Sequence, residues 1–221
     1  MARYGVKPFL AMLAVLSFGT AAAAEDDVLV TVVPEGWPKI QDADREKTRI
    51  IDFAPPGQSG QSWTHLATVY VRRDAENVAP RKMADFFLKE FKSACDDVKS
   101  SRLQKPGGGK EPDNVFSFIL WCGENELTGR GEVMISRVLR GKSTIFVVQR
   151  SWAVAPFDPD KVNPVDKREL GANFQVISSS VLCKAARDPS GRIVPDALCV
   201  GPPERGRFGR RLVVPGARKG G

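Results

Sequence analysis

Val115-Phe116-Ser117-Phe118-Ile119-Leu120-Trp121 opens the stretch that decides the fold, which runs from Asn114 to Trp152. Two-residue alternation puts Phe116, Phe118 and Leu120 on one face and Val115, Ile119 and Trp121 on the other. Asn125 to Gly131 is polar and reads as a connection. Glu132 to Leu139 and Thr144 to Trp152 read as two further strands, joined by Arg140-Gly141-Lys142-Ser143. Glycine at the first central position suits a two-residue type II′ turn. That register pairs Val138 with Ile145 and Ser136 with Val147 on one face, and Leu139 with Thr144 and Ile135 with Val148 on the other. Both faces are apolar, so the sheet is expected to be covered on at least part of both sides. Gly141-Lys142-Ser143 is not a phosphate loop. Ser136 stands where the earlier glycine is required, and a strand follows instead of a helix.

Upstream, Val28 to Val33 is strongly β-forming and ends at Pro34-Glu35-Gly36-Trp37-Pro38. The charged run Gln41 to Lys47 leads into a short strand from Thr48 to Phe53. Ala54 to Gly60 is a loop by composition, and Ser62 to Arg72 is the next strand. Pro80 then opens the clearest helix, because proline is tolerated where its missing N–H would lack a helical partner. Met83, Phe86, Phe87, Phe91, Ala94 and Cys95 form its apolar stripe. Lys105 to Pro112, with Gly107-Gly108-Gly109, is a loop. Downstream, Asn163-Pro164 reads as a helix entry with Asn163 as N-cap, and Leu170, Phe174, Ile177 and Val181 as the buried stripe. Asp188-Pro189-Ser190-Gly191 closes the regular structure, and residues from about Pro202 onward read as a basic flexible tail.

Residues 1–24 have the pattern of a secretory signal peptide: Arg3 and Lys7, an apolar run from Phe9 to Phe18, and small residues ending at Ala24. Removing Arg3 and Lys7 lowers the formal charge from +7 to +5. So modest an excess supports solubility and names no partner. Its distribution says more, since Arg205, Arg207, Arg210, Arg211, Arg218 and Lys219 crowd the last segment against the single acid Glu204. Cys95, Cys122, Cys183 and Cys199 fit an oxidising compartment. Four cysteines allow three pairings, of which Cys95–Cys122 and Cys183–Cys199 are favoured. The chain-entropy model gives each loop roughly 3 kcal/mol of stabilisation. No Cys-x-x-Cys pair supports a metal site.

The order of elements predicts three parts: the signal peptide, a single α+β domain over 25–201, and the tail over 202–221. The domain is expected to be a mostly antiparallel sheet around a three-strand meander, with two main helices packed on it. From Thr48 to Cys183 this order resembles PsbP-like domains and small secreted proteins of Gram-negative bacteria, as does the spacing of Trp63, the Phe-rich helix and Trp121-Cys122. What the resemblance implies is binding or assembly in preference to catalysis, by analogy of fold alone.

No catalytic motif stands out. His65 is the sole histidine, and its strand position between Trp63 and Ala67 argues for a packed or half-exposed ring. Gly57-Gln58-Ser59-Gly60-Gln61 misses the nucleophile elbow at its last position. Asp158, Asp160, Asp166 and Glu169 lack the ligand spacing of a calcium loop and read as a solvated loop and helix start. Nothing asks for a cofactor or a metal. Three classes remain, in descending order. The first is a secreted or periplasmic binding or assembly module whose partner is another envelope or secreted protein. The second is an interaction protein that touches an anionic polymer or surface through Arg205, Arg207, Phe208, Arg210 and Arg211. The third is a carboxylate-based hydrolase.

Overall fold

The computed structural model describes residues 27–104, 107–109, 111–190, 192–196, 199, 205–206 and 209–216. The expected signal peptide lies outside them. The elements in order are β1 (Asp27–Val33), β2 (Lys39–Asp44), β3 (Thr48–Phe53), β4 (His65–Arg72), α1 (Pro80–Ala94), β5 (Val98–Arg102), β6 (Val115–Asn125), β7 (Arg130–Arg140) and β8 (Ile145–Val154). They continue with α2 (Lys167–Ser178), β9 (Val181–Arg187), β10 (Ile193–Pro195), β11 (Arg205–Gly206) and β12 (Gly209–Pro215). No helix among the described residues is long and apolar enough to cross a membrane.

The large sheet has seven antiparallel strands in the order β2-β3-β4-β8-β7-β6-β5, with the β6-β7-β8 meander inside it. A second, five-stranded antiparallel sheet runs β10-β9-β1-β12-β11. The expected architecture, a single sheet with helices as its covers, is therefore corrected. The domain is β-rich, with two sheets among the described residues, and the two helices found there hold only 15 and 12 residues.

The two apolar faces of the meander explain the layers. Phe118, Leu120, Met134, Val138, Ile145 and Val147 pack against Met83 and Ala84 of α1, with Phe87, Leu88 and Phe91 partly buried beside them. On the other face Ile119, Val133, Ile135, Phe146 and Val148 meet Leu29, Val33 and Val214 of the small sheet and Ile177 of α2. One face is closed by a helix and the other by a sheet. Phe86 points outward from this packing and is exposed, so the helix stripe is narrower than its aromatic content suggests.

Two boundaries differ from expectation for reasons the contacts explain. The β7–β8 turn pairs Arg140 with Ile145 and Val138 with Val147, two residues away from the expected register. A two-residue slip keeps every side chain on its face. Gly141 is needed because the Asp27 carboxylate, which accepts from Lys142 N, occupies the place of a Cβ. Left-handed backbone is not involved. The second helix starts at Lys167, where Asp166 caps it by accepting from the N–H groups of Arg168 and Glu169. Asn163 does not cap it and Val181 does not belong to it; Val181 pairs with Val30 in the small sheet.

The segment read as a tail is the largest departure. β12 pairs with β1 from Val28↔Pro215 to Val33↔Arg210, and Val214 is fully buried. Gly209 permits the β11–β12 hairpin, with φ +132° and the Val33 carbonyl where a Cβ would stand. Both expected disulfides are present, Cys95–Cys122 with Cα atoms 5.6 Å apart and Cys183–Cys199 at 5.7 Å. The first ties the end of α1 to β6, and the second ties β9 to the chain just past β10.

A chain ending at Gly201 loses β12 and strips one side of β1. Its melting temperature should fall by about 10 °C or more, or its cooperative transition should vanish. Unchanged thermal unfolding by circular dichroism would show that β12 contributes nothing. In the α1 layer, Met83 is 1 % exposed, so Met83→Ala should cost about 2–5 kcal/mol. Phe87 is half-buried, and Phe87→Ala should cost less than the 3–5 kcal/mol or so of a buried phenylalanine. Urea unfolding of the two variants would reverse that order if the helix face were wrong.

Candidate functional site

His65 begins β4 and Trp152 lies directly opposite it on β8. Both project toward α2, whose N-terminus Asp166 fixes in place. Asp166-x-x-Glu169 has the spacing of a capping box. Glu169, however, reaches away from the helix start. Its Oε1 accepts from Trp152 Nε1 at 2.6 Å and lies 3.3 Å from His65 Nε2. The other imidazole nitrogen, Nδ1, is 3.0 Å from Thr64 Oγ1. Gln58 clamps Thr64 twice, donating to its hydroxyl and accepting from its N–H, each at 2.8 Å. A neutral imidazole with its proton on Nε2 satisfies both of its contacts. Trp37 packs edge-on against the ring, with centroids 6.4 Å apart.

Trp37, His65, Trp152 and Glu169 line a cavity of about 250 Å³ together with Pro34, Leu66, Arg150 and Val176, and Thr64 and Gln58 stand behind it. Arg150 is the unusual member. It sits between Val148 and Trp152 on the buried face of β8 and is 3 % exposed. Nη2 donates to Val32 O at 2.8 Å and Nη1 to Gln149 O at 3.2 Å, while Nε has no partner among the described residues. Burial pulls the guanidinium down to about 10, which leaves it charged at neutral pH. Arg137, on the same face of the sheet, is different. Its Nη1 donates to the Glu111 carboxylate at 2.8 Å, and Ser117 also donates to that carboxylate at 2.7 Å. One buried arginine has a counter-charge. Arg150 has only carbonyl dipoles.

A second cavity, of about 420 Å³, lies at the β6–β7 turn and is lined by Trp63, Asn125, Leu127, Arg130 and Glu132. Arg130 lies over the Trp63 ring at 5.9 Å and donates to the Trp63 carbonyl at 2.7 Å. Burial pushes the Glu132 carboxyl up to about 7, against the opposing pull of Ser151 and Arg130.

The other residues singled out in the sequence are dispersed. Asp158 pairs with Lys161, Asp160 with Lys99, and Asp166 is spent on the helix cap. No group of three metal-ligating side chains occurs among the described residues. Arg207 and Phe208 lie outside those residues, and of Arg205 only its strand pairing with Arg210 is described. Arg210 and Arg211 belong to β12 and line an open groove of about 520 Å³ with Lys39, Asp42 and Arg49. Arg210 lies 5.6 Å over the Phe53 ring and donates to Trp37 O. Arg49 holds the Asp42 carboxyl down at about 2, with help from Lys39. The basic residues are therefore strand-borne and partly engaged.

Trp37, Arg150 and Trp152 were not singled out in the sequence, although one signal exists: Arg150 interrupts the apolar row Phe146, Val148, Trp152.

No family model and no curated protein matches this chain. Among solved structures, the Saccharomyces cerevisiae Ran-binding protein Mog1p is similar over 68 % of this chain and 80 % of its own, at 9 % identity and a TM-score of 0.40. A point mutant of the protein Mog1 gives the same coverage and identity, with a TM-score of 0.38. A likeness of that size assigns no activity.

Glu132 yields a signed pH dependence. Its folded value lies above the ordinary 4.5, so the stabilisation that depends on the protonated form is full below about 4.5 and is lost as pH rises through about 7. Between pH 5 and 8 the native chain should lose on the order of 1–3 kcal/mol relative to Glu132→Gln. Parallel urea stability profiles for the two proteins would remove Glu132 as the cause.

Proposed function

We propose that the protein is an exported binding module and that its ligand site is the cleft between α2 and the His65–Trp152 end of β4 and β8. The observation that supports this reading most directly is the fixed polar frame on an apolar floor. Thr64, His65, Glu169 and Trp152 form one hydrogen-bonded line, with Gln58 behind it. Leu66, Ala172 and Val176 supply apolar wall beside the two indoles. Binding sites combine a mostly apolar lining with a few oriented polar groups in this way. At about 250 Å³ the cleft suits a group the size of one ring. The two disulfides are compatible with export.

A second reading, contact with an anionic polymer, is favoured by one observation: Lys39, Arg49, Arg210 and Arg211 share an open groove with Asp42. It concerns a different surface and can hold alongside the first. Exposed charge attraction is screened over about 10 Å at 0.1 M salt, so Arg210→Glu should weaken retention on heparin at low salt and leave the cleft unaffected.

The cleft reading is tested with benzamide, a neutral ring. At millimolar concentrations it should shift the amide resonances of Leu66, Ala172 and Asn173, and Trp37→Ala, measured well below its own melting temperature, should weaken it several-fold. Shifts scattered over the surface, or confined to the Trp63 cavity, would refute the assignment. Hydrolysis of p-nitrophenyl acetate that depends on Thr64 and His65 would turn the reading into an enzymatic one, since hydroxyl, imidazole and carboxylate stand in the order of a nucleophile relay.

A further inference from the structure

We infer that the cleft selects a small organic monoanion, a carboxylate carried on a single flat ring, with Arg150 as its anchor. The inference rests on the cleft being the ligand site and adds the chemistry of the ligand.

Arg150 is a cation in the wall of a cavity, between apolar neighbours, without a carboxylate partner among the described residues. A guanidinium carries five N–H donors in a planar fork matched to the two oxygens of a carboxylate. Here Nη1 and Nη2 each give one bond to a carbonyl and keep a second N–H, while Nε is buried and has no partner among the described residues. Donors therefore remain, and so does the charge. Packing between the sheets does not explain the charge, because an apolar side chain would fill the row between Val148 and Trp152 without the desolvation penalty. A carboxylate entering the cleft supplies the missing counter-ion to a guanidinium that is itself almost wholly buried, and charge-assisted hydrogen bonds of this kind are the strong ones.

Glu169 sets the valence of the ligand. Glu169 is the cleft's carboxylate, and its Oε1 is already committed to Trp152 and His65. With Glu169 ionised, a dianion such as a phosphate monoester meets like charge across a narrow cavity, whereas a monoanion meets less of it. Trp37, Leu66 and Val176 leave an apolar space for the ring that carries the carboxylate.

The test compares benzoate, benzamide and phenyl phosphate on the full folded chain, by amide shifts and tryptophan fluorescence. Benzoate should bind about tenfold or more tighter than benzamide at the same amides, and phenyl phosphate more weakly than benzoate. Arg150→Met should abolish the preference for benzoate. Arg150 also holds the Val32 carbonyl, so Glu169→Gln gives a readout that does not depend on that variant folding. Removing the Glu169 negative charge should strengthen benzoate and phenyl phosphate several-fold relative to benzamide. Benzamide binding in the cleft as tightly as benzoate would overturn the anion assignment and leave the cleft reading standing. If none of the three shifts the cleft amides, both fall.

Discussion

The β6-β7-β8 meander is apolar on both faces, and the rest of the molecule follows from covering it twice. A strand such as β8, with Ile145, Val147, Phe146 and Val148 all fully buried, has no face to offer to water. Phe118 and Met134 on one side recruit α1. The other side is too wide for one helix and is closed by β1 and β12 with α2 beside them. The small sheet takes β1 from the beginning of the described residues and β12 from their end. The fold closes only when both are in place.

The cleft is a by-product of that closure. α2 crosses where the small sheet ends, and the Asp166 cap and the Trp152–Glu169 bond set how close its first turn approaches β8. Pro34 and Trp37, in the connection that leaves β1, form the remaining wall. Each wall thus comes from a separate layer, and the hydrogen bonds through Glu169 join helix to sheet across the opening.

The meander was legible because its residues carry the signal themselves: continuous apolar alternation with polar breaks. α1 was legible from Pro80 and the Met83–Phe91 stripe, and the disulfides from cysteine pairs that each join the end of an expected helix to a following segment. The small sheet was not. Its strands are short and come from distant parts of the chain, and β12 reads Gly-Arg-Arg-Leu-Val-Val-Pro, whose arginines suggest a solvated end. Only pairing with β1 makes it a strand, and periodicity within a single segment does not reveal a partner about 180 residues away. The turn register failed for a related reason. Gly141 looked like a turn glycine, but it is required by Asp27, far off in sequence. Of the cleft, His65 and Glu169 were noticed singly, and nothing in the chain joins them before α2 is laid across the sheet.

Arg150 is where the energetics of the core and the chemistry of the cleft meet. A buried ion without a counter-ion is among the more costly features a small domain can retain. Arg137 shows the usual remedy on the same face of the same sheet, where Glu111 and Ser117 surround its guanidinium. Had Arg150 served only to bridge the sheets through the Val32 carbonyl, a neutral donor would serve with less desolvation. Its position in the wall of a cavity instead of in solid core makes the difference. The core tolerates the charge because the compensating anion can enter from outside, and the carbonyls of Val32 and Gln149 hold the guanidinium in register until it does.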